Sequence, residues 1–189
     1  MKAYFQMLAH YNRWANRLLL QACSSLPDHA YHHDLGAYFG SIHGTLNHLY
    51  VADAIWLHRL SGEGESPYSL EEQPFDLLAD LSAARAILDE RLIALIDMMD
   101  EDEIHNSILY RTIRKPLVME QPVSSALAHV FNHQAHHRGQ VHSFLTQLRY
   151  KPPALDLIYF QRETGIGMTE EPPAAAEVIK LGEKGKDFR

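Results

Sequence analysis

Four stretches of this chain, each about 20–27 residues long, repeat apolar side chains at the three-to-four-residue spacing of one helix face. Helix one is expected from Ala3 to Ser24, with Leu8, Tyr11, Ala15, Leu18, Leu19 and Ala22 on its apolar face and Pro27-Asp28 as its stop. Helix two is expected from Ser41, a good N-cap, to Leu60, ahead of Gly62. Its stripe of Ile42, Leu46, Leu49, Asp53, Trp56 and Leu60 is apolar except at Asp53. Helix three is expected from Phe75 to Met99, burying Leu77, Leu81, Leu88, Leu92, Leu95 and Met98. Its acidic end, DMMDEDE, opposes the helix dipole and predicts fraying. Helix four is expected from Val123, after Pro122, to Arg149, ahead of Pro152-Pro153.

Between these helices the pattern changes. Residues 28–37 and the stretch GEGESPYSLEEQP are polar and rich in turn formers, which predicts loops. Residues 106–120 alternate, with Ile108, Tyr110, Thr112 and Arg114 on one side and Pro116 interrupting, which predicts a short hairpin or extended insert. A short helix from Leu155 to Arg162 should pack back on the rest. The fold class is therefore all-α, a four-helix bundle over residues 1–162 with a largely irregular tail over 163–189. The insert before helix four is long enough to permit a crossover.

A length of 189 residues fits one domain with a sizeable core. A net charge of −7 argues against a nucleic-acid partner and against docking on anionic membranes. No apolar run is long enough to span a bilayer, and the polar N-terminus MKAYFQMLAHYNRW does not read as a secretory signal. The single Cys23, inside the apolar run LLLQAC, reads as a small core residue and fits a reducing, cytoplasmic setting.

Five of the thirteen histidines fall within HVFNHQAHHRGQVH: His129, His133, His136, His137 and His142. On a helix, His129 and His137 are separated by about 12 Å along the axis, too far to share an ion held at about 2.1 Å. Val130, His133, His137, Val141, Phe144 and Leu148 form one stripe, apolar apart from its two histidines. His129, Asn132, His136, Gln140, Ser143 and Gln147 form a polar one. His133 and His137 therefore point inward, and His129 and His136 meet solvent. Two buried imidazoles one turn apart need partners for four ring nitrogens, which favours a metal site over two hydrogen-bonded core residues. A third ligand must come from another helix. His48, among Gly44, Thr45 and Ala52, is mildly favoured over His43, His58 and His10. No His-Glu-x-x-His motif, paired Glu-x-x-His motif, phosphate loop or nucleophile elbow is present.

Three segments resemble the DinB-like superfamily of metal-dependent enzymes: Tyr11-Asn12-Arg13-Trp14-Ala15-Asn16, then Leu46-Asn47-His48-Leu49 through Asp53, Trp56 and Leu60, and most specifically His129 to Gln140. Asp156-Leu157-Ile158-Tyr159 adds to the likeness. The resemblance implies a bundle with a longer crossover and a divalent metal held by His48, His133 and His137. Relatives include transferases that use low-molecular-weight thiols and a thiol-dependent isomerase.

The expected function is thus a metal-dependent enzyme, in its concrete form a transferase joining a small thiol to an electrophile. A metal-dependent hydrolase and a non-catalytic metal-containing binding protein are the alternatives. Zinc or nickel suits three imidazoles, as do iron and copper. Asp53 is expected to orient a ligand histidine or a metal-bound water. Arg138 and Gln140 are expected at the surface or an interface, and Trp14, Trp56 and Tyr110 as core or pocket-wall residues. A homodimer fits the apolar helix faces.

Overall fold

The computed structural model describes residues 1–168, except 65, 68, 114 and 116. Four long helices carry it: α1 (Lys2–Cys23), α3 (Ile42–Ser61), α4 (Leu78–Met98) and α6 (Val123–Gln147). Shorter elements connect or follow them: α2 (Asp28–Tyr31), α5 (Glu101–His105), the antiparallel pair β1 (Ser107–Arg111) and β2 (Val118–Pro122), and α7 (Leu157–Thr164). The four-helix expectation holds, and so does the hairpin before the last long helix; its Arg114 and Pro116 lie outside the described residues. The expected tail begins at 163, but α7 continues through Thr164, and residues 169–189 lie outside the described residues.

Local chemistry explains the helix ends. The Ser41 hydroxyl accepts from the Gly44 amide at the start of α3, and Gly62 closes that helix in the left-handed region, φ 72°. The acidic stretch after α4 does not fray into solvent. Asp100 and Glu103 form a reciprocal capping box that starts α5, which turns the acids into favourable first-turn residues. Residues 28–31 form one helical turn instead of open loop. Leu77 and Met98, expected in the core, are exposed, because α4 starts one residue after Leu77 and turns Met98 outward.

α1 packs on α4 and α6, and α3 packs on the same two helices. Two apolar clusters fill the ends of the bundle. One joins Phe5, Leu57, Leu92, Ile96, Leu127 and Val130; the other joins Leu19, Leu46, Leu49, Leu81, Val141 and Leu145. Following each helix from one cluster to the other gives its direction: α1 and α6 run one way, α3 and α4 the other. Adjacent parallel helices cannot be joined by a tight turn. The crossover is therefore the connection 62–77 between α3 and α4, which returns along the bundle, and not the insert before α6. α7 closes a third, smaller cluster through Phe160, packed on Trp14 and Ala15.

Between the two apolar clusters lies a buried polar layer to which every long helix contributes. It comprises Asn12 and Asn16 of α1, Asp53 of α3, Arg85 and Asp89 of α4, and Gln134 and Arg138 of α6. Arg85 Nη1 donates to Asp53 Oδ2 at 2.8 Å, and Arg85 Nη2 lies 2.9 Å from Asp89 Oδ1. Both Asn12 and Asn16 donate to Asp89. Gln134 donates to Asp53 Oδ2, and Arg138 Nη1 donates to the side-chain oxygens of Asn12, Asn16 and Gln134. Buried charges survive only with such partners.

Candidate metal centre

The histidines of α6 are sorted as helical geometry dictates. His129 and His136 are exposed, His133 is half-buried and His137 is buried. α3 lies against this face of α6 and supplies His48, which is also buried. One ring nitrogen from each of His48, His133 and His137 falls within 4.8 Å of the others. His48 Nε2 and His133 Nε2 are 3.2 Å apart.

Hydrogen bonds to oxygen fix the tautomers. A carbonyl oxygen can only accept, so His48 Nδ1, 3.1 Å from Leu70 O, carries its proton and leaves Nε2 with a lone pair. His137 Nδ1 donates to Gln140 Oε1 at 2.7 Å, which leaves its Nε2 bare in the same way. Gln140 is thereby half-buried and bonded to a site histidine, where a surface position was expected. Leu70 belongs to the crossover, so a segment that reads only as polar loop forms one wall of the site. Phe39 forms another: its ring stacks on His48 at 3.7 Å between centroids and meets His137 edge-on at 5.6 Å.

The His133 and His137 rings are held neutral. Burial first, and then the neighbouring imidazoles of His137 and His48, pull His133 down to about 3. Burial likewise pulls His137 down to about 4, against the Gln140 hydrogen bond. Neutral imidazole is the form that binds a metal. Two nitrogens each about 2.1 Å from one ion sit about 3–3.5 Å apart, so the 3.2 Å between His48 and His133 suits a shared cation. Without one, two lone pairs would face each other unless His133 carried its proton on Nε2. The three histidines therefore fit a divalent ion, and their outer nitrogens on His48 and His137 have the oxygen partners that ligand imidazoles normally keep.

Asp53 is not part of this cluster. Its carboxylate bonds Arg85 and Gln134 in the polar layer, and burial pushes it above the ordinary carboxylate range against the pull of Arg85 and Gln134. Its link to the site runs through Gln134, which follows His133 in α6. Arg138 is buried, not at the surface, because three amide oxygens receive it. The sequence signal for this layer was the spacing of polar pairs four apart, Asn12 with Asn16, Arg85 with Asp89 and Gln134 with Arg138, on otherwise apolar faces. His43, an alternative ligand, instead places Nε2 2.8 Å from Phe75 O. Trp56 is half-buried between His129, Tyr110 and the Arg59 guanidinium, and Trp14 is buried with Nε1 donating to Glu163. Cys23 is buried and unpaired, its thiol pushed up to about 12 by burial, which suits a core residue. Among the described residues no helix is long and apolar enough to cross a membrane.

Three comparisons with known proteins bear on this arrangement. A model of the DinB family matches residues 1–172. Protein DinB of Bacillus subtilis (strain 168) is 31% identical over 158 residues, spanning 79% of this chain and 88% of that protein. The crystal structure of a DinB-like protein from Bacillus cereus has a TM-score of 0.58 at 14% identity, covering 74% of this chain and 89% of the other. At that identity the structural likeness speaks for the fold alone.

Proposed function

The chain belongs to the DinB family, and on that footing we propose that it is a divalent-metal-dependent enzyme that joins a low-molecular-weight thiol to an electrophile. The observation that carries the reading is the convergence of His48, His133 and His137, with tautomers set so that His48 and His137 turn bare Nε2 atoms inward. When bound there, a divalent ion, zinc or nickel by preference, lowers the pKa of a coordinated thiol or water and makes it nucleophilic near neutral pH. Leu70 and Gln140 hold two of the rings in orientation, and Phe39 covers His48 against water. Asp53 acts at one remove, by fixing Gln134 and with it the rotation of α6. The resemblance to thiol-using relatives supports the choice of thiol. The buried, unpaired Cys23 is in keeping with a reducing, cytoplasmic setting. A homodimer belongs to the same reading, supported by the exposed apolar side chains Leu109, Leu117 and Val118 on and beside the hairpin.

Metal content by elemental mass spectrometry, for wild type and for His48→Ala, His133→Ala and His137→Ala, tests the site first. Near-stoichiometric metal that is lost in each folded variant is the expected result; none in wild type after incubation with zinc or nickel would overturn it. Turnover is then followed with a small thiol and a chromogenic aryl chloride, and separately with a nitrophenyl ester and no thiol. Thiol-dependent turnover abolished in His48→Ala supports the transferase. Ester cleavage alone would replace it with a hydrolase, and metal binding with neither activity would leave a non-catalytic binding protein.

A further inference from the structure

On the α1 side of α6, away from α3 and the three histidines, a cleft of about 690 Å³ opens between α1, α6 and the segment that leads into α7. Arg138 lines it, although the residue is only 2% exposed. Its hydrogen bonds to Asn12, Asn16 and Gln134 all leave from Nη1 and all end on neutral amide oxygens. None of the ion pairs among the described residues includes Arg138, whereas Arg85 takes both core carboxylates, Asp53 and Asp89. The polar layer is balanced in sum, with two arginines against two aspartates, but both acids sit with Arg85. Burial pulls the Arg138 guanidinium below its usual range, against the opposing pull of Tyr11 and the two aspartates.

A purely structural Arg138 would tie α6 to α1, and that accounts for Nη1. It does not account for a guanidinium with no carboxylate partner placed at a cleft wall, 5.2 Å from the centre of the Tyr11 ring that lines the same cleft. Lys151 and His142 line the same cleft. Gly139 keeps the wall next to Arg138 low, since a Cβ there would meet nothing within 4 Å. Among the described residues Asp156, at the start of α7, is the single acid on the lining, and Leu155 and Leu157 add apolar surface. A buried Arg short of a carboxylate, sharing the lining of a cleft of ligand size with Lys and His, is an arrangement suited to an oxyanion.

We propose that this cleft binds a small organic anion, with a carboxylate or phosphate head held by Arg138, Lys151 and His142 and an apolar body against Leu155 and Leu157. The proposal does not draw on the metal reading. Titration calorimetry of the full chain with 3-phenylpropionate, phenyl phosphate and the uncharged 3-phenylpropanol tests it. At least one anion should bind one-to-one, and which of the two binds identifies the head group. Lys151→Gln and His142→Gln, both outside the core, should each weaken that binding by about tenfold or more, while the alcohol stays weak. His133→Ala should bind the anion as wild type does, because the cleft is separate from the histidine cluster. Failure of both anions to bind, equal binding of the alcohol, undiminished binding in both cleft variants, or loss of binding in His133→Ala would each overturn the proposal.

Discussion

Gly44 stands in the first turn of α3 with the Phe39 carbonyl directly against it, so that a Cβ would overlap the Phe39 oxygen. Backbone cannot step aside as a flexible side chain can, and Phe39 is also the ring that stacks on His48. Gly44→Ala should cost about 1–3 kcal/mol in a urea titration and weaken metal retention, because relief of the overlap moves Phe39. Arg85 is a second position where one atom group serves several partners. Burial alone would lower its pKa, but Asp89 and Asp53 outweigh that and hold the guanidinium charged. Truncation leaves two carboxylates facing each other in the core. Arg85→Ala should therefore cost about 3–5 kcal/mol, read as a shift of the denaturation midpoint with the slope unchanged. At this scale the sequence was legible where one residue's neighbours are its own helix. His133 and His137 share a buried face because residues four apart must. Arg138, one position on, was misplaced at the surface, because what receives it comes from Asn12 and Asn16, more than a hundred residues away.

Helix ends and connections set where the site walls stand. The capping box of Asp100 and Glu103 converts an acidic run that would fray α4 into the start of α5. Asp100→Ala should destabilise the protein by about 1 kcal/mol, with enhanced amide exchange confined to Glu101–His105. The four long helices were readable because a 3.6-residue period is a local property. The crossover was not. Its direction follows from which end of α4 meets which end of α3, and no residue in GEGESPYSLEEQP announces that Leu70 will receive His48. The polar composition of that segment predicts a loop and says nothing of its role, and Leu70 within it is half-buried against the site.

For the whole molecule, the depressed histidines make stability depend on pH in one direction. His133 and His137 titrate at about 3 and about 4 when folded, against the ordinary 6.5 when unfolded. Between those values the unfolded chain binds more protons, so stability is fully present above pH 6.5 and falls as pH drops towards 4 and then 3. Metal-free protein should melt progressively lower below pH 6.5 in scanning calorimetry, and His133→Ala should flatten that dependence. Added zinc or nickel should raise the melting temperature at pH 7, an effect the same acidification removes, since metal and proton compete for the same nitrogens. The polar layer has a consequence for how the chain can be divided. Cut within the crossover, residues 1–61 would retain Asp53 alone among the charged members, and residues 78–168 would retain Arg85 and Arg138 against Asp89. Each fragment would then display an unmatched charge of opposite sign on an otherwise oily face. Neither half is comfortable by itself, and each is the other's natural complement: two separately made fragments should seek one another out and rebuild the bundle, with mispaired helices rejected by the charges they would strand.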